Sequence, residues 1–135
     1  MHQPKRNRIL SCIGAATAAG VAGVMLAGAP LASAATRTVN VVPGQNLYSP
    51  QNLGNILGGD TVTWVNESVH DIRSASIPAG ATAWSSPIQQ GASTFSQTVL
   101  APGNYRFYCS LHSSAAAANA PTQNPGEMVG QFTVQ

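Results

Sequence analysis

Hydrophobic and polar residues alternate along four segments in the later three-quarters of the chain. The hydrophobic positions are Val39 and Val41, Val62 and Trp64, Tyr105, Phe107 and Cys109, and finally Phe132 and Val134. A period of two, in segments rich in valine, threonine and aromatic residues, is typical of half-buried antiparallel strands. The pattern predicts strands over 37–42, 60–66 and 104–109 and a last strand around Phe132.

Proline and glycine residues separate these segments and mark the turns between them. The turn signals lie at 43–44, 58–60, 78–80, 102–103 and 125–126. No stretch after Ala35 shows the period of an amphipathic helix. Several short strands with regular turns in roughly 100 residues predict an all-β sandwich.

One long segment, residues 113–126, interrupts this pattern. It is rich in alanine and low in complexity. Residues 115–118 are able to form one helical turn, but such a run is too short to be a stable helix alone. We interpret the segment as a loop inserted between two strands.

The first 34 residues have the features of a secretory signal peptide. Three basic and no acidic residues precede an apolar run, which ends in Ala32-Ser33-Ala34, a pattern that signal peptidase accepts. A transmembrane anchor is the alternative, but the many alanines and glycines, Pro30 and the cleavage pattern argue against it. We predict a signal peptide over 1–34, cleaved after Ala34 or one residue later, and a domain over 35–135.

Cleavage changes both the charge and the inventory of reactive side chains. The whole chain has a formal net charge of +2, whereas after residue 34 three arginines face four acids, a charge of −1. No basic patch remains for nucleic acid or an anionic membrane. The predicted location is extracellular, periplasmic or in the cell envelope, without stable membrane insertion after cleavage.

The residues left after cleavage form a metal-ligand set. They include one cysteine, Cys109, two histidines, His70 and His112, and one methionine, Met128. A lone thiol in an oxidising compartment is a liability unless it is used. One thiolate, two imidazoles and a weak thioether form the ligand set of a blue-copper electron-transfer site. Zinc is the rival metal, although a structural zinc site more often uses several thiolates.

Four segments resemble the cupredoxins of the plastocyanin and amicyanin type. They are residues 59–66, 70–71, 101–112 and 128–134, in the order found in that family, and they cover most of the predicted domain. The resemblance implies a Greek-key β-sandwich that binds one copper ion. It further implies that His70, Cys109 and His112 are equatorial ligands and that Met128 is the axial ligand.

Two features depart from the family pattern. The family usually has an asparagine after its first histidine ligand, and its side chain forms a hydrogen bond to the loop that follows the cysteine. This chain has Asp71 at that position, so the hydrogen bond to Ser110 and the reduction potential are open to change. Fifteen residues separate His112 from Met128, more than the family usually has. Gln123 or a backbone carbonyl therefore remains an alternative axial ligand.

These observations predict a one-electron carrier and not an enzyme. Cys109 and His112 lack a partner placed to orient the histidine for nucleophilic catalysis, and no histidine adjoins Cys109 for a second copper centre. The expected partners are transient redox proteins, and the expected state is a monomer. A copper chaperone or store that serves an extracytoplasmic oxidase is the alternative function.

Overall fold

The computed structural model describes residues 33–120 and 126–135, which form eight strands and one short helix. Most of the predicted signal peptide lies outside the described residues, and so does Gln123. The elements are β1 (Thr36–Val42), β2 (Leu47–Ser49), β3 (Asn52–Ile56), β4 (Thr61–Asn66), β5 (Arg73–Ser76), β6 (Ser93–Thr98), β7 (Gly103–Tyr108), α1 (Ala115–Asn119) and β8 (Val129–Val134).

The strands form two four-stranded sheets, with the orders β2-β1-β4-β6 and β3-β8-β7-β5. The predicted all-β sandwich is therefore confirmed. The strands are not all antiparallel, because β1 pairs in parallel with β4, and β3 with β8. Neither parallel pair is consecutive in the chain: β2 and β3 lie between β1 and β4, and β4 to β7 lie between β3 and β8. Side-chain alternation shows which face of a strand is buried, but it does not show which strand lies next to it.

One core lies between the two sheets, and all the alternating hydrophobic residues named above are buried in it. Trp64 of β4 is fully buried and meets the Phe107 ring of β7 edge-on, with ring centres 5.2 Å apart. Trp84, which lies between β5 and β6, stacks on Tyr105. Burying one such aromatic side chain stabilises a fold by roughly 1.5–3 kcal/mol.

In the second sheet, the Phe107 ring of β7 packs over Gly130, its ladder partner in β8. A β-carbon at position 130 would lie 2.3 Å from Cζ of the Phe107 ring. Only glycine leaves room for that ring, which lies two residues before Cys109.

The long segment after His112 contains a helix that we did not predict from the sequence. The side chain of Ser114 accepts a hydrogen bond from the N–H of Ala117 and caps α1. Nη1 of Arg106 in β7 donates to the carbonyls of Ala118 and Ala120 at the other end. These contacts and the burial of Ala118 stabilise a helix that would be too short to persist alone.

Among the described residues, 33–120 and 126–135, which belong to one compact unit, every strand and core residue follows Ala35. A chain that begins at Ala35 therefore keeps the whole sandwich and its core. In the part of the chain that the structure describes, no helix has the length and apolar character needed to cross a membrane.

Candidate metal centre

The four predicted ligands all follow or precede strands that are close to one another. His70 lies between β4 and β5, Cys109 and His112 follow β7, and Met128 directly precedes β8. Because β7 pairs with both β5 and β8 in antiparallel fashion, the end of β7 lies beside the beginnings of its two neighbours. The sheet pairing thus brings residues from three distant parts of the sequence to one end of the sandwich.

Three of the four side chains converge on one point. Nδ1 of His70 lies 3.1 Å from Nδ1 of His112, and Sγ of Cys109 lies 3.7 Å and 3.6 Å from these two atoms. The point equidistant from atoms with these separations is about 2.0 Å from each, close to the length of a metal–imidazole bond and about 0.3 Å shorter than a metal–thiolate bond. The three donors are therefore spaced to bind one metal ion.

The burial of the two histidines differs. His70 and Cys109 are buried, whereas His112 is half-buried. His70 is therefore the more deeply placed histidine of the pair, and His112 lies nearer to the surface.

Met128 is fully buried and lies beside Cys109. Its carbonyl accepts the N–H of Cys109 at 3.0 Å, so the backbone brings the two residues together across β7 and β8. The structure is compatible with a thioether ligand at this position, and the axial role of Met128 stays a prediction.

Burial governs the protonation of two of the candidate ligands. It raises the pKa of the Cys109 thiol. Burial also lowers the pKa of His70, and the neighbouring His112 lowers it further. Neutral imidazole is the form that binds a metal, whereas the thiol has to lose its proton to become a thiolate ligand. Metal binding at this site therefore releases a proton.

The carboxylate of Asp71 ties the two ligand loops together. It accepts the Ser110 N–H and the Ser110 hydroxyl, each at 2.7 Å, and Nε of Arg73 at 2.6 Å. Burial alone would raise the pKa of Asp71, but the hydrogen bonds from Ser110 and Arg73 outweigh it, and the pKa lies below its usual value. The hydrogen bond to Ser110 is thus present although aspartate replaces the family's asparagine. The aspartate adds a buried negative charge, which is paired with Arg73.

Further contacts hold the segment that carries His70. The backbones of His70 and Gln89 exchange hydrogen bonds of 3.3 Å and 2.9 Å. The Tyr48 hydroxyl donates to the carbonyl of Asp71, and the Ser86 hydroxyl accepts the N–H of Ile72. Sequence reasoning missed Tyr48, Ser86 and Gln89, because residues of these types carry no signal for a contact so distant along the chain.

Replacing Asp71 with leucine is expected to destabilise the metal-free protein by about 2 kcal/mol, since Arg73 and Ser110 lose their hydrogen bonds to a charged partner. Asp71→Asn should cost less, because the amide oxygen still accepts one hydrogen bond. Urea unfolding measures both values. Glu67→Gln is the control, because Glu67 is exposed and loses the same charge. Equal stability of Asp71→Leu and the control would contradict a role for this network.

Comparison with known proteins gives a consistent result. The chain is 35% identical to a plastocyanin from Prochlorothrix hollandica over 123 residues, which cover 85% of each protein. Its fold is similar to that of amicyanin, studied as a methionine-to-glutamine mutant in the Cu(I) form, with a TM-score of 0.54 and 22% identity over 74% of this chain and 82% of that one. A purple cupredoxin from Nitrosopumilus maritimus has a TM-score of 0.52 and 28% identity over 73% of this chain and 98% of its own. No family model matches the sequence.

The donor set, the fold and the relatives point to the same family. One thiol and two imidazole nitrogens at these separations suit a copper ion, which accepts both soft sulfur and nitrogen ligands. The identity to plastocyanin extends over most of both chains, and the two-sheet sandwich matches the solved cupredoxins. This chain therefore belongs to the cupredoxins, a family of small copper-binding β-sandwich proteins.

Proposed function

We propose that the protein carries single electrons between redox partners outside the cytoplasmic membrane, through one copper ion bound by His70, Cys109 and His112, with Met128 as the axial ligand. The convergence of one thiol and two imidazole nitrogens, all within 4.8 Å of one another, is the observation that carries this proposal. The similarity of this chain to a plastocyanin supports electron transfer as its general role.

Hydrogen bonds fix the loops that carry the proposed copper ligands, and this rigidity favours an electron carrier. A bound copper ion supplies a one-electron couple between Cu(II) and Cu(I). Asp71 holds the loop that follows Cys109, and Gln89 holds the backbone of His70. Ligands that are held by such contacts move little when the charge of the ion changes, and little movement means a low reorganisation cost.

The surface next to His112 is the proposed route for the electron. His112 is half-buried, and the adjacent Leu111 exposes 46% of its surface. A partner that docks on Leu111 comes close to the His112 ring without entering the core. An interface of this kind is small, as in transient redox complexes. The formal charge of −1 after cleavage, from three arginines and four acids, predicts that docking depends only weakly on salt.

Export is part of the same proposal and rests on the first 34 residues. They combine an early basic segment, an apolar run and a cleavage pattern that ends at Ala34. A thiol that binds copper is also protected from unwanted disulfide formation in an oxidising compartment.

The visible absorption spectrum of residues 35–135 with one equivalent of Cu(II) tests the copper site. We expect an intense blue, green or purple band from the thiolate–copper bond, which disappears with ascorbate and returns on oxidation. Removal of copper with a chelator should abolish the band and leave Cys109 able to react with thiol reagents after unfolding. A colourless product with a free thiol would contradict the blue-copper proposal, and zinc would then become the leading candidate.

A further inference from the structure

A second buried carboxylate, Asp60, directly precedes β4 and accepts three hydrogen bonds. Oδ1 accepts the backbone N–H of Ala35 at 2.8 Å. Oδ2 accepts Nε of Arg37 at 3.1 Å and the N–H of Leu57 at 3.2 Å. The side chain of Asp60 is only 1% exposed. These donors, with the Ala35 bond as the largest effect, hold the pKa of Asp60 below its usual value.

Ala35 is fixed by both of its backbone polar groups. Besides the N–H that binds Asp60, its carbonyl accepts the N–H of Thr61 at 2.9 Å, next to the first pair of the β1–β4 ladder. Ser33 and Ala34 are exposed, whereas Ala35 is half-buried. The ordered contacts of the sandwich therefore reach back to the nitrogen of Ala35.

That nitrogen belongs to one of the two peptide bonds at which the sequence predicts cleavage. We propose that processing cuts the Ala34–Ala35 bond and that the new α-ammonium group of Ala35 forms an ion pair with the buried carboxylate of Asp60, which holds the N-terminus of the mature domain against β4. This inference rests on the proposed export. In the hydrolysis, water adds across the peptide bond; Ala34 keeps the oxygen as a carboxylate, and the Ala35 nitrogen becomes a protonated amine at neutral pH.

The charge changes the strength of a contact that already has the right geometry. In the uncut chain Ala35 offers a neutral N–H, whereas after the cut it offers a cationic donor to the same carboxylate. The bond from the uncut chain is already strengthened by the charge of the carboxylate, and the cut adds the Coulomb attraction of a cation at the same short distance. Asp60 is buried, and its only other charged partner among the described residues is Arg37, so a second cation offsets the cost of burying the carboxylate.

Cleavage one residue later would remove contacts at the N-terminus instead of strengthening them. A chain that begins at Thr36 lacks Ala35 and therefore loses both the bond to Asp60 and the bond from Thr61. Asp60 would keep only Leu57 and Arg37 as donors. Of the two predicted cuts, only the one before Ala35 leaves a cationic nitrogen within hydrogen-bond distance of Asp60.

Urea unfolding of three chains that begin at Ala34, Ala35 or Thr36, each released from a cleavable fusion without extra residues, tests the ion pair. The chain that begins at Ala35 should have a folding equilibrium constant about tenfold larger than the chain that begins at Ala34, which keeps the N–H but moves the charge away. The chain that begins at Thr36 should be the least stable. Equal or greater stability of the Ala34 chain would overturn the ion pair.

Two controls isolate the role of Asp60. Asp60→Asn should remove the difference between the Ala34 and Ala35 chains. Acetylation of the Ala35 amine keeps an N–H and removes the charge, so it should lower stability to that of the Ala34 chain even if Asp60→Asn fails to fold. An acetylated chain as stable as the free amine would contradict the proposal.

The mass of the protein exported from cells that express the full chain tests the cleavage site. We expect the mature protein to begin at Ala35, and a protein that begins at Thr36 would overturn this inference. An unprocessed chain would overturn export as well. The copper spectrum of residues 35–135 does not depend on export, so it would still decide electron transfer separately.

Discussion

Replacing Cys109 with serine is expected to abolish the intense visible band of the copper-loaded protein and its reversible loss with ascorbate. The band arises from the thiolate–copper bond, and Cys109 is the only cysteine after residue 34. His70 and His112 remain as imidazole donors, so the variant should still bind Cu(II), but more weakly and with only a faint colour. Absorption spectroscopy and competition with a chelator measure the two effects.

A neighbouring substitution controls for general disturbance of this strand. Tyr108 directly precedes Cys109 but lies on the other face of β7, where it is half-buried. Tyr108→Phe should therefore keep the band. Retention of the full band in Cys109→Ser would exclude this thiol as a copper ligand.

Replacing Gly130 with alanine is expected to destabilise the protein by about 3 kcal/mol. The new methyl group would lie 2.3 Å, 2.6 Å and 2.9 Å from three atoms of the Phe107 ring, which fills the space above the glycine. The ring is fully buried, so either it or the backbone of β8 has to move. Urea unfolding of the metal-free protein measures the loss.

A smaller side chain at position 107 tests whether this clash is the cause. Phe107→Leu creates space above Gly130 and has its own cost, because a buried ring is lost. In that background Gly130→Ala should cost much less than in the wild type, and the double-mutant cycle gives the coupling between the two positions. The same cost in both backgrounds would contradict the steric explanation.

The hydrophobic alternation was enough to predict the sandwich but not the arrangement of its strands. Val39, Trp64, Phe107 and Phe132 are buried as their spacing indicates. By contrast, no residue of β5 is fully buried, and β6 has many polar residues, so neither strand shows a clear pattern. Their pairing depends on long-range hydrogen bonds to β7 and β4.

The candidate site was more predictable than the contacts around it. Cysteine, histidine and methionine are rare after residue 34, so their positions alone suggested His70, Cys109, His112 and Met128. The structure brings the first three together. The ion pair between Arg73 and Asp71 was not predicted, because nothing in the sequence around a partly exposed arginine in a strand indicates its partner. The helix α1 escaped prediction for a similar reason, since Arg106 stabilises it from another element.

The hydrogen bonds around the ligand loops also bear on when the ion can bind. Asp71, Gln89 and the carbonyl of Met128 fix these loops through contacts within the polypeptide. The folded chain can therefore acquire its ion afterwards, in a single bimolecular step from the half-buried His112 side. Folding and metal binding would then be two separate events, and the copper available to the folded chain would decide how much of it becomes active.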